Sequence, residues 1–330
     1  MKTRLNLILN AMAIAHGAIH LGFAQSRTLQ LGSEVKLDEN LSNKPTAKWI
    51  DGSLVALDNS AGSPIGISVF DRNGRKVSAM WFTVPGATYF SVRSFTRSRD
   101  GYLALCGSIN DAEGRSSNFI ALMPPDGRET KVVRTSSYTV LRVAFASDGT
   151  LWTQGMERKP RAEGEAPRKT MAETLKPDAA VFRQFDKTGK SLRSVHPQSE
   201  MDVPVALISS SSVFTAVGDR IVLYSSEARQ YIAILADGTV THVKNLSLPN
   251  DERESGFAVT EKNELYISSR NASSWSVSRL NLGKQIWEPL VQGVVGDRSV
   301  RELSILGAQG LTLAALGPDA AHVRFFRIPD

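Results

Sequence analysis

The stretch Asp51-Gly52-Ser53-Leu54-Val55-Ala56-Leu57, followed by Val69-Phe70-Asp71-Arg72-Asn73-Gly74-Arg75-Lys76-Val77, sets two turn signals against short apolar strands. An Asp-Gly pair between such strands marks a tight hairpin, whose central positions favour positive φ. The first signal recurs as Asp100-Gly101 before Tyr102–Cys106 and as Asp148-Gly149 before Thr150–Trp152. It returns as Gly218-Asp219, Lys262-Asn263 and Gln309-Gly310, each again ahead of an apolar run. The period is about 47 residues, with one longer interval after Asp148.

A second turn recurs out of phase with the first. Asp71–Gly74 has counterparts in Pro124–Gly127, Asp186–Gly189, Ala236–Gly238 and, more weakly, Asn281–Lys284. Each unit therefore reads strand, turn, strand, loop, strand, turn, strand, with Val, Ile, Phe and Tyr in the strands. Four antiparallel strands repeated about six times predict an all-β, six-bladed β-propeller of four-stranded blades. The segment from Trp49 to Val77 resembles an NHL-type six-bladed propeller repeat. That resemblance rests on turn chemistry, so it implies an architecture and no particular activity.

The last unit supplies only three strands, over residues 301–306, 311–316 and 322–328. The run Thr28–Val35 is expected to pair as the missing outer strand and close the ring, leaving no bare edge between first and last blades.

The chain of 330 residues is 42% hydrophobic and 22% charged, a balance that allows a buried core. Its net charge of +6 comes without a Lys/Arg run interleaved with aromatics, so nucleic acid is not an expected partner. Lys2 and Arg4 precede a mostly apolar stretch from Leu5 to Phe23, and Gly22-Phe23-Ala24 offers small residues at −3 and −1 of a cut after Ala24. Residues 1–24 read as a signal peptide, and residues 25–330 as a single propeller domain in the periplasm or outside the cell. Asn6, Asn10, His16 and His20 argue against retention of that stretch as an anchor, so no stable membrane insertion is expected after cleavage. Cys106, the single cysteine, lies in an apolar run and reads as a buried, inert thiol. A monomer is expected.

The long interval is an insertion. Residues 155–178, in the third blade, carry dense charge of both signs and no aromatic, the composition of a solvated loop, with a short helix allowed over Arg168–Leu175.

Successive turns of a meander alternate ends, so the Asp-Gly turns share one face and the longer loops the other. The longer-loop face is the expected ligand face, since variable loops on a rigid scaffold carry function. Candidate channel-mouth residues are Arg93, Arg142, Arg253, Arg301 and Glu302, with Glu200 and Asp202 in the link before the fourth unit. Several arginines at one opening suit a small polar or anionic ligand through forked hydrogen bonds. The alternative is ordinary solvated rim charge.

No catalytic residue, metal site or cofactor is predicted. His196 and His242 fall on outermost strands and His322 on a third strand, without ligand spacing. Nucleophile elbow, phosphate loop and redox cysteine pair are all missing from the sequence. Trp81, Phe82, Tyr89 and Phe90 are expected to be mainly inter-blade core, with an exposed aromatic platform as the alternative. The favoured reading is an exported propeller that binds a small ligand or an unidentified protein partner. The alternative is a periplasmic enzyme, such as a lactone hydrolase or lyase.

Overall fold

The computed structural model describes the chain from Leu29 to Ile328 except residues 45, 60, 63, 136, 161–169, 202–211, 226–227, 247–252, 295–303, 311 and 318. The proposed signal peptide lies outside the described residues. Six antiparallel sheets form the molecule. The first blade is β2 (Thr46–Ile50), β3 (Ser53–Leu57), β5 (Ile65–Phe70) and β6 (Lys76–Phe82), and the second is β7 (Tyr89–Arg97), β8 (Leu103–Asn110), β9 (Ser116–Met123) and β10 (Lys131–Thr135). The third is β11 (Tyr138–Phe145), β12 (Leu151–Glu157), β13 (Ala180–Phe185) and β14 (Ser191–Pro197). The fourth is β15 (Ser212–Val217), β16 (Arg220–Ser225), β17 (Gln230–Leu235) and β18 (Val240–Val243). The fifth is β19 (Arg253–Val259), β20 (Leu265–Arg270), β21 (Ser274–Asn281) and β22 (Ile286–Val294).

The sixth blade joins the two ends of the chain. β23 (Ser304–Gln309), β24 (Thr312–Leu316) and β25 (His322–Arg327) come from the C-terminus, and β1 (Gln30–Lys36) pairs antiparallel with β25. Leu31 faces Phe326 and Val35 faces Val323 in that ladder, and Arg324 pairs with Glu34 across it. The ring is thus closed by the N-terminal strand, as the three-strand count required.

A propeller strand in mid-blade is covered on both faces, which explains why these strands read as nearly unbroken apolar runs. In β3, Val55 and Leu57 pack toward the second blade, while Leu54 and Ala56 pack toward the sixth. In β8, Leu103 and Leu105 face the first blade, while Ala104 and Cys106 face the third. Each of the six seams between blades holds its own apolar cluster among the described residues. Each fully buried Phe, such as Phe82, Phe90 or Phe119, contributes about 2–3 kcal/mol by leaving water. Those three rings meet edge-on or tilted at 5.2–6.2 Å in the first seam.

Three details differ from the sequence reading. The second blade has five strands, because β4 (Ala61–Gly62), in the β3–β5 loop, pairs with the free edge of β7 at Ser91 and Phe90. The turn chemistry is also more varied than a uniform Asp-Gly hairpin. Only Asp51-Gly52 has positive φ at both positions. At Gly101, Gly149 and Asn263 a single residue takes positive φ and its N–H bonds the carbonyl three residues back, the longer hairpin built on a type I turn. In the insertion, the described part forms a one-turn helix α1 (Met171–Thr174), shorter than the Arg168–Leu175 span.

Candidate functional site

The first strand of every blade is innermost, and these six strands surround a central channel. β7 contacts β11, β11 contacts β15, and β19 and β2 both contact β23. In four of them the ladder slips by one residue, between Val92 and Ser94, Val140 and Arg142, Glu254 and Gly256, and Ile305 and Gly307. A bulge of this kind re-aims the side chain of the extra residue. In β7 that residue is Arg93, which is exposed although it sits in mid-strand.

Arg93 leans toward the third blade. One of its guanidinium nitrogens donates to Asn118 Oδ1 at 3.0 Å and to the Val140 carbonyl at 3.4 Å. Lys48 in the first blade makes the equivalent gesture, its Nζ donating to the Phe95 carbonyl of the second at 3.1 Å and lying 4.8 Å from the Phe95 ring centroid. Arg142, buried in β11, caps its own neighbour's carbonyl at Leu141 with an Nη1–O distance of 2.9 Å. Lys48, Arg93 and Arg142 all lie within electrostatic reach of the Cys106 thiol. The three come from the inner strands of the first three blades. Among the described residues, neither Lys48 nor Arg93 forms an ion pair.

The electrostatics follow from that crowding. Lys48 keeps only partial exposure, and desolvation, helped by the nearby Arg142 charge, holds its amine down to about 8. Burial pushes the Cys106 thiol up to about 12 in spite of the three cations, so it stays protonated and unreactive at neutral pH.

The channel widens into a cavity of about 750 Å3. Its wall includes Ile50 and Asp51, Thr96–Asp100, Phe145–Gly149, Lys187, Thr215–Gly218, Val259 and Glu261. These residues are the ends of inner strands and the tight turns that follow them. This cavity therefore opens on the tight-turn face, opposite the face expected from the sequence to carry the ligand. Turns or strand ends from five blades contribute to its wall. Charge at this mouth is mixed, with Lys187 paired to Asp100 and its ammonium 4.8 Å from the Tyr102 ring centroid.

The remaining candidates divide. Glu200 ends a 3-10 turn (Gln198–Glu200) beyond the outer strand β14 and holds His196 Nδ1 at 2.8 Å, away from the inner strands. Arg253 opens the inner strand β19, its backbone paired with Arg270. Asp202, Arg301 and Glu302 lie outside the described residues. Lys48 was missed. Nothing in Ala47-Lys48-Trp49 distinguishes it from a surface lysine, because its role depends on a strand 47 residues away.

The histidines occupy the strands expected of them, His196 on β14, His242 on β18 and His322 on β25. His196 and His242 nevertheless meet across a seam at 5.8 Å between ring centroids. Among the described residues no group of three or more His, Cys, Asp or Glu side chains is arranged to hold a metal. No described helix is long and apolar enough to cross a membrane. The aromatic quartet splits by strand alternation, with Phe82 and Phe90 buried and Trp81 and Tyr89 exposed at 68% and 48%.

The architecture defines the class, a six-bladed β-propeller. No protein-family model matches the sequence, and no curated protein aligns with it significantly. Among solved structures, the chain is similar to virginiamycin B lyase from Staphylococcus aureus, at 13% identity over 91% of this chain and 100% of that one, with a TM-score of 0.46. It is also similar to a glucose dehydrogenase (11% identity, 90% and 99% covered, TM-score 0.46) and to a chain of a nidogen–laminin complex (11%, 81% and 86%, TM-score 0.47). Two of these three are enzymes by name. At such identities and TM-scores the likeness says nothing of activity or ligand.

Proposed function

We propose that this is an exported propeller that binds a small organic anion in its central channel. The observation that carries the reading is that Lys48, Arg93 and Arg142, from three adjacent inner strands, all act electrostatically on the Cys106 thiol, with Arg93 exposed at a bulge. Guanidinium forks match carboxylate and phosphate oxygens, and the enclosed wall strengthens each charge relative to open water. The funnel at the tight-turn face is lined by the ends of the same inner strands, and its volume suits a small molecule. Export rests on the leader-like residues 1–24, and an NHL-type lineage on the recurring Asp-Gly turn chemistry.

The test is a thermal-shift panel on the mature chain, pairing each anion with its neutral analogue, such as succinate with succinamide. The reading expects shifts with the anions that grow with concentration as binding to the folded state demands. Equal responses to both members of each pair would refute it. A second reading, an enzyme acting on such an anion, is favoured by the depressed basicity of Lys48.

A further inference from the structure

We propose that the seam between the third and fourth blades holds a ligand site of its own, which binds a small monocarboxylate with an apolar body through Arg193. This site lies apart from Lys48, Arg93 and Arg142 and goes beyond the reading given above. Among the described residues, four cations lie over aromatic rings. Three of them have acceptors: Lys48 donates to the Phe95 carbonyl, Arg183 over Tyr138 pairs with Glu157, and Lys187 over Tyr102 pairs with Asp100. Arg193 is the exception. Its guanidinium carbon lies 4.8 Å from the Trp152 ring centroid, and among the described residues no carboxylate forms an ion pair with it. Its Nε is buried with no hydrogen-bond partner. A guanidinium carries five N–H donors, and leaving a buried one unmet costs free energy that a bound acceptor would recover.

Arg193 and Trp152 line a cavity of about 320 Å3 together. Trp152, Gln184 and Arg193 are cross-strand neighbours on β12, β13 and β14, so they form one row across a face of the third blade. Opposite them stand Ile221 and Ile234, paired on β16 and β17 of the fourth blade and buried in the same apolar cluster as Trp152. Gln184 already spends its amide on Thr150, Nε2 donating to Oγ1 at 2.7 Å. The wall thus offers one free guanidinium edge beside an indole and aliphatic side chains.

The other charges on the wall select the ligand. Asp148 is turned back on its own hairpin, its Oδ1 accepting from the Thr150 N–H at 2.9 Å and the Thr150 hydroxyl at 2.6 Å. Arg220 has Asp219 beside it, with Nε 3.5 Å from Oδ1. Two carboxylates on the wall disfavour a dianion such as phosphate, whereas one free fork suits a single carboxylate. That carboxylate would take in-plane N–H groups of Arg193 while the indole covers the guanidinium face. The rest of the ligand would meet Ile221, Ile234 and Leu235, which favours an apolar body.

The test is calorimetric titration of the mature protein with sodium benzoate and with benzamide, its uncharged analogue. The proposal expects benzoate to bind and benzamide to bind at least tenfold more weakly, with excess inorganic phosphate leaving the benzoate affinity unchanged. Arg193→Gln should weaken benzoate at least tenfold, and Arg93→Gln should not change it. Ala236→Leu, at an exposed turn position on the cavity rim, narrows the cavity while keeping the guanidinium, and should weaken benzoate as well. That variant carries the test should Arg193→Gln fail to fold. Absence of benzoate binding, equal affinity for benzamide, or full affinity in Arg193→Gln or in Ala236→Leu would overturn the proposal. Affinity lost in Arg93→Gln but kept in Arg193→Gln would also overturn it, and would place benzoate in the channel instead.

Discussion

Lys48 on the inner strand of the first blade donates to the carbonyl of Phe95 on the inner strand of the second, at 3.1 Å. That contact joins two blades at the channel wall and places a cation where little water reaches it. The inner edge of a propeller carries unpaired backbone carbonyls, and a long basic side chain from the preceding blade can satisfy one of them. Arg93 does so again for Val140 of the third blade.

The cost of holding Lys48 there depends on pH. Its amine is lowered from 10.5 to about 8, so between these values the unfolded chain holds a proton that the folded chain has released. Stability contributed at this position therefore rises with pH across that window, and the full penalty is present below pH 8. Lys48→Met removes the titration. The stability of wild type relative to Lys48→Met should improve from pH 7.5 to pH 10.5, by an upper bound on the order of 3 kcal/mol. Urea melts of both proteins at the two pH values measure it.

Gly307 lies where the inner strand of the sixth blade meets the first. A Cβ at this position would stand 2.3 Å from the Trp49 carbonyl oxygen, and backbone cannot swing aside as a side-chain tip can. Gly307→Ala should destabilise the protein by about 1–3 kcal/mol, seen as a lower melting temperature, because it forces the sixth and first blades apart.

Ring closure has its own signature. Arg324 is buried on β25, and Glu34 from β1 is its acidic partner there. Glu34→Ala leaves that guanidinium without its carboxylate, a change expected to cost about 2–4 kcal/mol in chemical denaturation. Removal of residues 30–36 should go further and expose the edge of β25, with concentration-dependent association on size-exclusion chromatography.

His196 provides an acid-side test. Its side chain is buried against Phe182 and His242, and desolvation lowers its pKa below the ordinary 6.5 despite the opposing pull of Glu200. As pH falls below 6.5 the unfolded chain takes up a proton there before the folded chain does, so stability is lost. His196→Gln should lessen the fall in melting temperature between pH 7.5 and pH 5.0.

Much of the architecture was legible because it is local. Turn residues such as Asp51-Gly52 act within a hairpin, and their spacing repeats with the blade. The closing strand was legible by counting, since β23 to β25 leave one place empty and Leu31–Val35 can fill it. The bulge at Arg93 was not, because Val92-Arg93-Ser94-Phe95 keeps an alternation that only the ladder with Gly107 and Cys106 breaks. The short strand β4 was equally hidden, since Ala61 and Gly62 are defined by an edge in another blade. Arg93 and Arg142 were chosen by residue type and inner-strand position, and both lie on inner strands. Glu200 was chosen by position in a link, and His196 holds it at the periphery. Channel neighbours come from different blades, so their assembly depends on ring closure, which no single stretch of sequence displays.

The central claim is that the wall formed by Lys48, Arg93 and Arg142 binds a small anion. Calorimetric titration of the strongest anion from the thermal-shift panel into wild type and into Arg93→Gln tests it most directly. Losing one charge-assisted hydrogen bond should weaken binding at least tenfold, about 1.4 kcal/mol or more, with the melting temperature of the free protein little changed. Equal affinity in the two proteins would contradict the account.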